Sequence, residues 1–178
     1  SNFSKLIRWF EAGKVPTMIA FSGGVDSSVV AFAAKQALGS NATAITANYN
    51  TLSNEDLVNA RIVAKEIGIK HVIINYDELK NSEFIKNDKL RCFYCRTELA
   101  RHLIDELRKV GAGLIVDGTN IDDLSDYRPG LAALRQHGIK SPLVEVGIRK
   151  DEVRFIAKSL NLSVYDRPAN SCLASRIP

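Results

Sequence analysis

Glycines, hydroxyls and one carboxylate fall within eight consecutive residues near the start of the chain. Backbone N–H groups at glycines approach a phosphate closely, serine hydroxyls donate further hydrogen bonds, and the N-terminus of a following helix adds positive potential. The pattern therefore predicts an anion-binding loop, with a plain glycine turn that caps a helix as the alternative. The loop consists of Phe21, Ser22, Gly23, Gly24, Val25, Asp26, Ser27 and Ser28.

One carboxylate, Asp26, lies inside this loop, where a bound phosphate would repel it unless a cation intervened. Mg²⁺ usually takes one or two carboxylates together with phosphate oxygens, so we expect Asp26 to hold Mg²⁺ against the phosphates of a nucleotide. The loop lacks the Gly-Lys-Ser/Thr ending of a Walker loop and the third glycine of a dinucleotide fingerprint. Neither of those nucleotide motifs therefore describes it.

A second polar segment follows the apolar run Leu114 to Val116. From Asp117 to Asp123 it contains a glycine turn and three carboxylates within seven residues. We expect this segment to complete the nucleotide and Mg²⁺ site, and we expect Arg128 to hold a phosphate or a carboxylate. Asp and Asn are also frequent turn and N-cap residues, so a purely structural role is the alternative. The predicted ligands in the segment are Gly118, Thr119, Asn120 and Asp123.

The chain has three cysteines, an odd number that does not favour a closed set of structural disulfides. Cys92 and Cys95 form a Cys-x-x-Cys pair, and Cys172 lies in a polar segment between Arg167 and Arg176. Positive charge near Cys172 favours its reactive thiolate, and Arg176 could also bind a substrate phosphate. The alternatives are three buried apolar cysteines, a redox pair, or a zinc site that recruits a histidine.

These polar segments must be positioned by regular elements, and short β-rich apolar runs alternate with longer runs of helical spacing along the chain. The alternation predicts an α/β fold, with a parallel sheet of five strands and helices on both faces. The predicted strands are Thr17 to Phe21, Ala42 to Tyr49, His71 to Tyr76, Leu114 to Val116 and Leu143 to Val146. The predicted helices are Phe3 to Glu11, Asp26 to Leu38, Glu55 to Ile67, Cys95 to Val110, Pro129 to His137 and Asp151 to Leu160.

Composition narrows the class of protein further. Apolar residues make up 46% and charged residues 25% of 178 residues, values typical of soluble globular chains. No apolar run is long enough to cross a bilayer and no export signal is visible, so we expect a single cytoplasmic domain over residues 1–178 with no membrane partner. A net charge of +4 suits phosphorylated small ligands and does not favour a nucleic-acid partner.

The loop resembles the Ser-Gly-Gly-x-Asp-Ser hallmark of the PP-loop ATP pyrophosphatases, which follows the first strand in that superfamily. The resemblance implies an adenine nucleotide alpha hydrolase-like, Rossmann-like fold. It also implies that ATP is cleaved between its α and β phosphates, and that AMP is attached to a carbonyl or carboxylate oxygen of a substrate.

Three further segments resemble the LarE-type sulfur transferases, one branch of this superfamily: Asp117 to Gly130 with its Gly-Thr-Asn-x-Asp-Asp pattern, Arg91 to Arg96, and Arg167 to Arg176. The resemblance implies adenylation of a pyridinium carboxylate mononucleotide followed by sulfur insertion, a step in nickel-pincer cofactor biosynthesis. Members of the branch continue beyond the position that matches Pro178, so their C-terminal segment is expected to be absent from this chain. The full-length form is expected to be a homo-oligomer.

Two sulfur sources occur in the LarE-type branch. In the first, a cysteine at the position of Cys172 gives up its own sulfur; in the second, a [4Fe–4S] cluster carries an extra sulfide on an iron that no cysteine binds. The presence of Cys92 and Cys95 favours a cluster held by these two residues and Cys172. The catalytic residues that the resemblance implies are Cys172, Asp26 and Arg176.

Three rival functions use related residues. A transfer-RNA thiolation enzyme shares the loop and often a cluster, but such enzymes usually carry RNA-binding or zinc-binding modules that this sequence lacks. An amide-forming PP-loop synthase would need ammonia and no set of three cysteines. A non-catalytic nucleotide-binding stress protein would share the sheet without any need for Asp26 or Cys172.

Overall fold

The computed structural model of the chain describes residues 1–48, 53–75, 91–125 and 135–168, with only the backbone described over 91–96. Arg128, Cys172, Arg176 and most of the predicted helix over 129–137 therefore lie outside the described residues. In chain order the elements are α1 (Asn2–Gly13), β1 (Thr17–Ala20), α2 (Val25–Leu38), β2 (Ala42–Asn48), α3 (Asn54–Ile67), β3 (Lys70–Asn75), α4 (Arg91–Val110), β4 (Leu114–Val116), α5 (Pro142–Val146) and α6 (Lys150–Ser159). Short 3-10 turns cover Gly39–Asn41 and Ile121–Leu124.

The sheet confirms the predicted parallel α/β class. Its strand order is β3-β2-β1-β4, and each pair of neighbours is parallel. In chain order, β2 and then β3 lie on one side of β1, and β4 lies on the other side of β1. In open sheets of this kind, ligands bind outside the carboxyl ends of the strands where the building direction reverses. That point lies between the ends of β1 and β4.

The predicted fifth strand, Leu143 to Val146, is wrong because this segment is the short helix α5. Pro142 stands in the first helical turn, where a missing N–H costs nothing, and Gly147 ends the helix with a left-handed φ of 87°. The place beside β4 is filled instead by Lys140, which forms a single parallel bridge with Val116. The Lys140 N–H donates to Ile115 at 3.1 Å, and its carbonyl accepts from Asp117 at 2.9 Å.

Helices cover both faces of the sheet, as predicted. On one face Ile19, Ala44 and Val116 pack against α2 and its neighbours, and this larger core includes residues of α1, α3 and α6. On the other face Met18, Ile45 and Ile115 pack against Leu99, Ala100 and Leu103 of α4. Consecutive residues of a strand thus pack into cores on opposite faces of the sheet. This alternation fixes the strand register, and with it the positions at which the strands end.

The helix ends follow ordinary capping chemistry. Ser53 caps α3 by accepting the Asp56 N–H at 3.0 Å, and Gly68 ends that helix with a φ of 75°. α1 begins at a Ser1 cap and ends at Lys14, which adopts a left-handed φ of 46°. Among the described residues, no helix is long and apolar enough to cross a membrane.

Candidate functional site

The loop after β1 is shaped by its own serines. Ser22 Oγ accepts the Gly24 N–H at 3.1 Å, and Ser27 Oγ accepts the Ser22 N–H at 3.2 Å. Ser28 is fully buried and donates to the Gly24 carbonyl at 2.6 Å. α2 follows at once, and its N-cap, Gly24, offers no side-chain hydrogen bond to the first turn. The first-turn N–H groups of α2 thus lack a side-chain cap, which suits the N-terminal anion site that the sequence predicts.

Two glycines of the site are required for close packing. Gly23 has a φ of 81°, and a Cβ there would lie 2.7 Å from the Cα of Ala60 on α3. A Cβ on Gly118 would lie 2.7 Å from the backbone nitrogen of Ser27. The turn after β4 therefore rests directly on the first turn of α2, and Gly118 brings the two polar loops together.

The loop after β4 is buried and internally bonded. Asp117 accepts the Thr119 N–H at 3.1 Å and the Ser141 hydroxyl at 2.7 Å. Asn120 Oδ1 accepts the Asp123 N–H at 3.3 Å, while Asp123 accepts the Asn120 N–H at 2.9 Å in a reciprocal capping box. Asp117, Thr119 and Asn120 are each less than a tenth exposed. The turn and cap roles that the sequence allows for this segment are therefore present.

Side chains from three separate segments meet at Asp26. Its Oδ1 accepts from Asn120 Nδ2 at 3.0 Å, and its Oδ2 accepts from Lys150 Nζ at 2.6 Å. The Asp26 side chain is 22% exposed and that of Lys150 is 27% exposed, so solvent reaches this ion pair. The predicted meeting of the two loops is thus realised around the one carboxylate that the anion-binding loop contains.

Lys150 was missed by sequence reasoning. It is the first residue of α6, where a cation opposes the helix dipole, and this unfavourable position is the signal that could have marked it. Asp122 holds it there by accepting the Lys150 N–H at 2.9 Å. Asp122 also accepts from Arg149 at 3.1 Å, and these two hydrogen bonds, the backbone one first, lower the pKa of the Asp122 carboxyl.

The side chains of the predicted cysteine and arginine ligands lie outside the part of the chain whose side chains are described. Cys92 and Cys95 lie in the first turn of α4, where the backbone alone is described, and Cys172, Arg176 and Arg128 lie outside the described residues. Where side chains are described, no group of three or more His, Cys, Asp and Glu residues could hold a metal ion. The described part of the candidate site is therefore the cluster of Asp26, Asn120 and Lys150.

Comparisons with known proteins agree with the fold and with this loop. The asparagine synthase family model matches residues 12–88, which include the whole loop after β1. An NMN synthetase structure from Francisella tularensis superposes with a TM-score of 0.74 over 95% of this chain and 74% of that chain, at 18% identity. A likeness at that identity shows the fold alone.

Curated relatives indicate more closely which class of protein this chain resembles. An uncharacterized protein of Synechocystis sp. is 44% identical over 90% of this chain and 60% of its own length. The pyridinium-3,5-bisthiocarboxylic acid mononucleotide synthase of Lactiplantibacillus plantarum is 32% identical over 90% of this chain and 58% of its own. A tRNA-specific 2-thiouridylase from a Wolbachia strain is 27% identical over 87% of this chain and 52% of its own. The chain thus spans about 60% of the length of the two more similar relatives.

The loop and these relatives together make the chain similar to the PP-loop ATP pyrophosphatases. Within that superfamily the chain resembles the LarE-type proteins, and its similarity to the pyridinium-3,5-bisthiocarboxylic acid mononucleotide synthase confirms the resemblance that its sequence motifs predict.

Proposed function

We propose that the chain is the ATP-cleaving part of a sulfur transferase that adenylates a pyridinium carboxylate mononucleotide and then replaces an oxygen of the carboxylate with sulfur. The observation that carries this proposal is the position of Asp26. It lies within the Ser-Gly-Gly-Val-Asp-Ser loop at the sheet's switch point, and side chains of two other segments converge on it. The relative that makes a pyridinium bisthiocarboxylic acid mononucleotide supports the choice of substrate.

The residues around Asp26 fit a magnesium ion. The carboxylate is partly exposed, and its Oδ2 is bound by Lys150, whose long side chain can rotate away without moving the backbone. A carboxylate and phosphate oxygens are the usual ligands of protein-bound Mg²⁺. When bound there, Mg²⁺ would neutralise charge on the departing pyrophosphate.

The chain's own groups then have separate roles in binding ATP. The first-turn N–H groups of α2 and the Ser22 and Ser27 hydroxyls bind the phosphates. Lys150 neutralises the Asp26 carboxylate, and its ammonium would be available to the phosphates of ATP if Mg²⁺ were held by Asp26. Asn120 keeps the Asp26 carboxylate oriented. Phe21, Gly23, Gly24, Val25, Ser28, Gly118, Thr119 and Asp123 shape this pocket, and Arg128 adds a positive charge.

The reaction follows in two balanced steps. A carboxylate oxygen of the substrate bonds to the α-phosphorus of ATP as the bond to the bridging oxygen breaks, and pyrophosphate leaves. Sulfide then bonds to the acyl carbon, and AMP leaves with the electrons of the broken C–O bond. If Cys172 is the source, its thiolate makes the same attack, and its Cβ–Sγ bond then breaks as the Cα proton is lost, which leaves dehydroalanine on the protein and a thiocarboxylate on the substrate. AMP is needed because a free carboxylate oxygen is a poor leaving group.

We further propose that Cys92, Cys95 and Cys172 hold a [4Fe–4S] cluster, which would carry the transferred sulfide on the iron that no cysteine binds. Support comes from the sequence, since positions 92 and 95 fall within one turn of α4. Thiolates are the usual ligands of such clusters. The competing source is Cys172 alone, which would lose its sulfur. Arg176 would bind the substrate phosphate, and assembly into a homo-oligomer and a cytoplasmic location also remain predictions.

Transfer-RNA thiolation is the second candidate, because a tRNA-specific 2-thiouridylase is among the relatives. The activated oxygen would then belong to a uridine carbonyl, with the same pyrophosphate release. The net charge of +4 is small for an RNA-binding surface, which makes this candidate the weaker one.

One anaerobic assay separates these functions. The protein is incubated with Mg²⁺–ATP, sulfide and either pyridinium dicarboxylate mononucleotide or unmodified tRNA, and the products are identified by ³¹P NMR and mass spectrometry. We expect pyrophosphate and AMP, with an oxygen-to-sulfur exchange in the mononucleotide only. Thiolated uridine would favour the second candidate, whereas ADP with inorganic phosphate would contradict both.

The sulfur source is read from the same reaction. Iron is counted in the wild type and in Cys92→Ala, Cys95→Ala and Cys172→Ala after reconstitution with iron and sulfide. Loss of iron in all three variants supports the cluster. Turnover without iron, with loss of sulfur from Cys172 alone, contradicts it.

A further inference from the structure

A chain of polar contacts through the buried Thr46 joins β3 to the start of the loop after β1. Thr46 on β2 donates its hydroxyl proton to the Phe21 carbonyl at 2.7 Å. The hydroxyl oxygen of Thr46 also lies 2.7 Å from Nε2 of His71 on β3. The His71 ring also packs edge-on against the Phe21 ring, with centroids 5.6 Å apart and an interplanar angle of 82°.

Hydrogen counting fixes the direction of these bonds. A threonine hydroxyl has one proton, and the Phe21 carbonyl can only accept. The Thr46 proton therefore points to Phe21, so His71 must donate from Nε2–H to the lone pair of Thr46. This donation is possible in the neutral Nε2–H tautomer, and burial, followed by the nearby positive charge of Arg61, lowers the pKa of His71 and favours the neutral form.

The strand register explains why His71 acts on the main chain at Phe21 through Thr46. His71 pairs with Ala44, and Thr46 lies two residues further along β2 on the same face. β3 and β1 are separated by β2, so His71 is placed to act on the main chain at the end of β1 through Thr46. Thr46 is only 3% exposed, so water is a poor substitute for either hydrogen bond.

Phe21 is the residue from which the loop departs. Its carbonyl belongs to the peptide whose N–H, on Ser22, donates to Ser27 Oγ at 3.2 Å. Both polar groups of this peptide are therefore held by side chains, with Thr46 on one side and Ser27 on the other. The orientation of that peptide decides where Ser22 and Gly23 lie.

We infer that Thr46 and His71 are positioning residues of the phosphate loop, which act by fixing the Phe21–Ser22 peptide from β2 and β3. They set the affinity of the loop for the phosphates of a nucleotide without contacting them. The inference rests on the proposed function for the identity of the ligand. The hydrogen-bond directions stand independently of that function.

The binding test compares Mg²⁺–ATP with adenosine by calorimetric titration. Thr46→Val keeps the shape and removes the hydroxyl, whereas Thr46→Ser keeps the hydroxyl. His71→Leu removes the donor, whereas His71→Gln places an amide N–H near the former Nε2. We expect Thr46→Val to weaken ATP binding about tenfold and His71→Leu about fivefold, with adenosine binding changed by less than about twofold. The Ser and Gln variants should bind ATP nearly as the wild type does.

A purely structural role would lower the thermal stability and weaken both ligands together. Equal losses for ATP and adenosine would therefore overturn the inference, and so would failure of Thr46→Ser to retain ATP affinity. Wild-type protein that binds no ATP would contradict the proposed function instead.

¹⁵N NMR of the His71 ring nitrogens tests the inference even if the wild-type protein binds no ATP. The Nε2–H tautomer in the wild type, and its weakened preference in Thr46→Val, would support it. An Nδ1–H tautomer in the wild type would overturn it.

Discussion

The two polar loops that meet at the switch point hold their carboxylates in different ways. In the loop after β1, Asp26 is held by two side chains, Asn120 and Lys150, that belong to other segments. In the loop after β4, Asp117 and Asp123 accept N–H groups of their own turn, and Asp122 accepts the Lys150 N–H. Side-chain partners can be exchanged for a ligand, whereas backbone partners can be lost only if the chain refolds locally. Asp26 is therefore suited to binding, and the other carboxylates are suited to building the site.

The largest expected effect of this difference is on catalysis. Asp26→Asn keeps the shape but removes the charge that would hold Mg²⁺, so we expect pyrophosphate release to fall about a thousandfold. Asp123→Asn is the matched control, and its rate should fall by less than about tenfold. A pyrophosphate-release assay under saturating ATP measures both. Similar losses in the two variants would remove the distinction between the loops.

The contact between the loops should control stability. Gly118→Ala places a Cβ 2.7 Å from the Ser27 nitrogen, and relieving that overlap must move one loop. We expect the free energy of unfolding to fall by about 3 kcal/mol. Gly13→Ala is the control, since a Cβ there meets no atom within 4 Å, and its change should be below about 0.5 kcal/mol. Urea unfolding that ranks the two variants equally would contradict the close packing.

Asp117 should stabilise the loop after β4. Asp117→Ala leaves the Thr119 N–H and the Ser141 hydroxyl without their described acceptor in a buried position. We expect a loss of about 2 kcal/mol in the free energy of unfolding. Ser141→Ala removes one donor and should cost about 1 kcal/mol. A Ser141→Ala loss as large as that of Asp117→Ala would show that the Thr119 bond contributes little.

The smallest effect should appear in acid. The pKa of Asp122 is lowered from 3.8, chiefly by the Lys150 N–H, so its stabilising contribution is present above pH 3.8 and is lost as the pH falls through the lower folded value. The stability difference between the wild type and Asp122→Asn should therefore shrink over that acidic range. Thermal unfolding at a series of pH values measures it, and a difference that grows in acid would contradict the assignment.

Much of this arrangement could be predicted from local patterns. Alternating apolar runs predict the parallel sheet, and two polar segments at strand ends predict a shared site, because parallel strands end at the same edge. The helix α5 was missed because the short segment 143–146, in which three of the four residues are apolar, reads equally well as a strand. Pro142 at the first position of α5 and Gly147 just after its last residue were the signals that favoured a helix.

The individual contacts could not be predicted in the same way. Lys150 reaches Asp26 across 124 positions of the sequence, and His71 reaches Thr46 across 25. Such pairs depend on strand order and register, which no local pattern encodes. The choice between binding and building roles for the carboxylates likewise depends on which N–H groups the fold places beside them.

The central claim is that Asp26 holds Mg²⁺ against ATP in the loop after β1, and calorimetric titration of ATP with and without Mg²⁺ tests it most directly. For the wild type we predict that Mg²⁺ strengthens ATP binding, and for Asp26→Asn we predict the same weak binding in both conditions. An Asp26→Asn variant that retains the full Mg²⁺ dependence would contradict the claim.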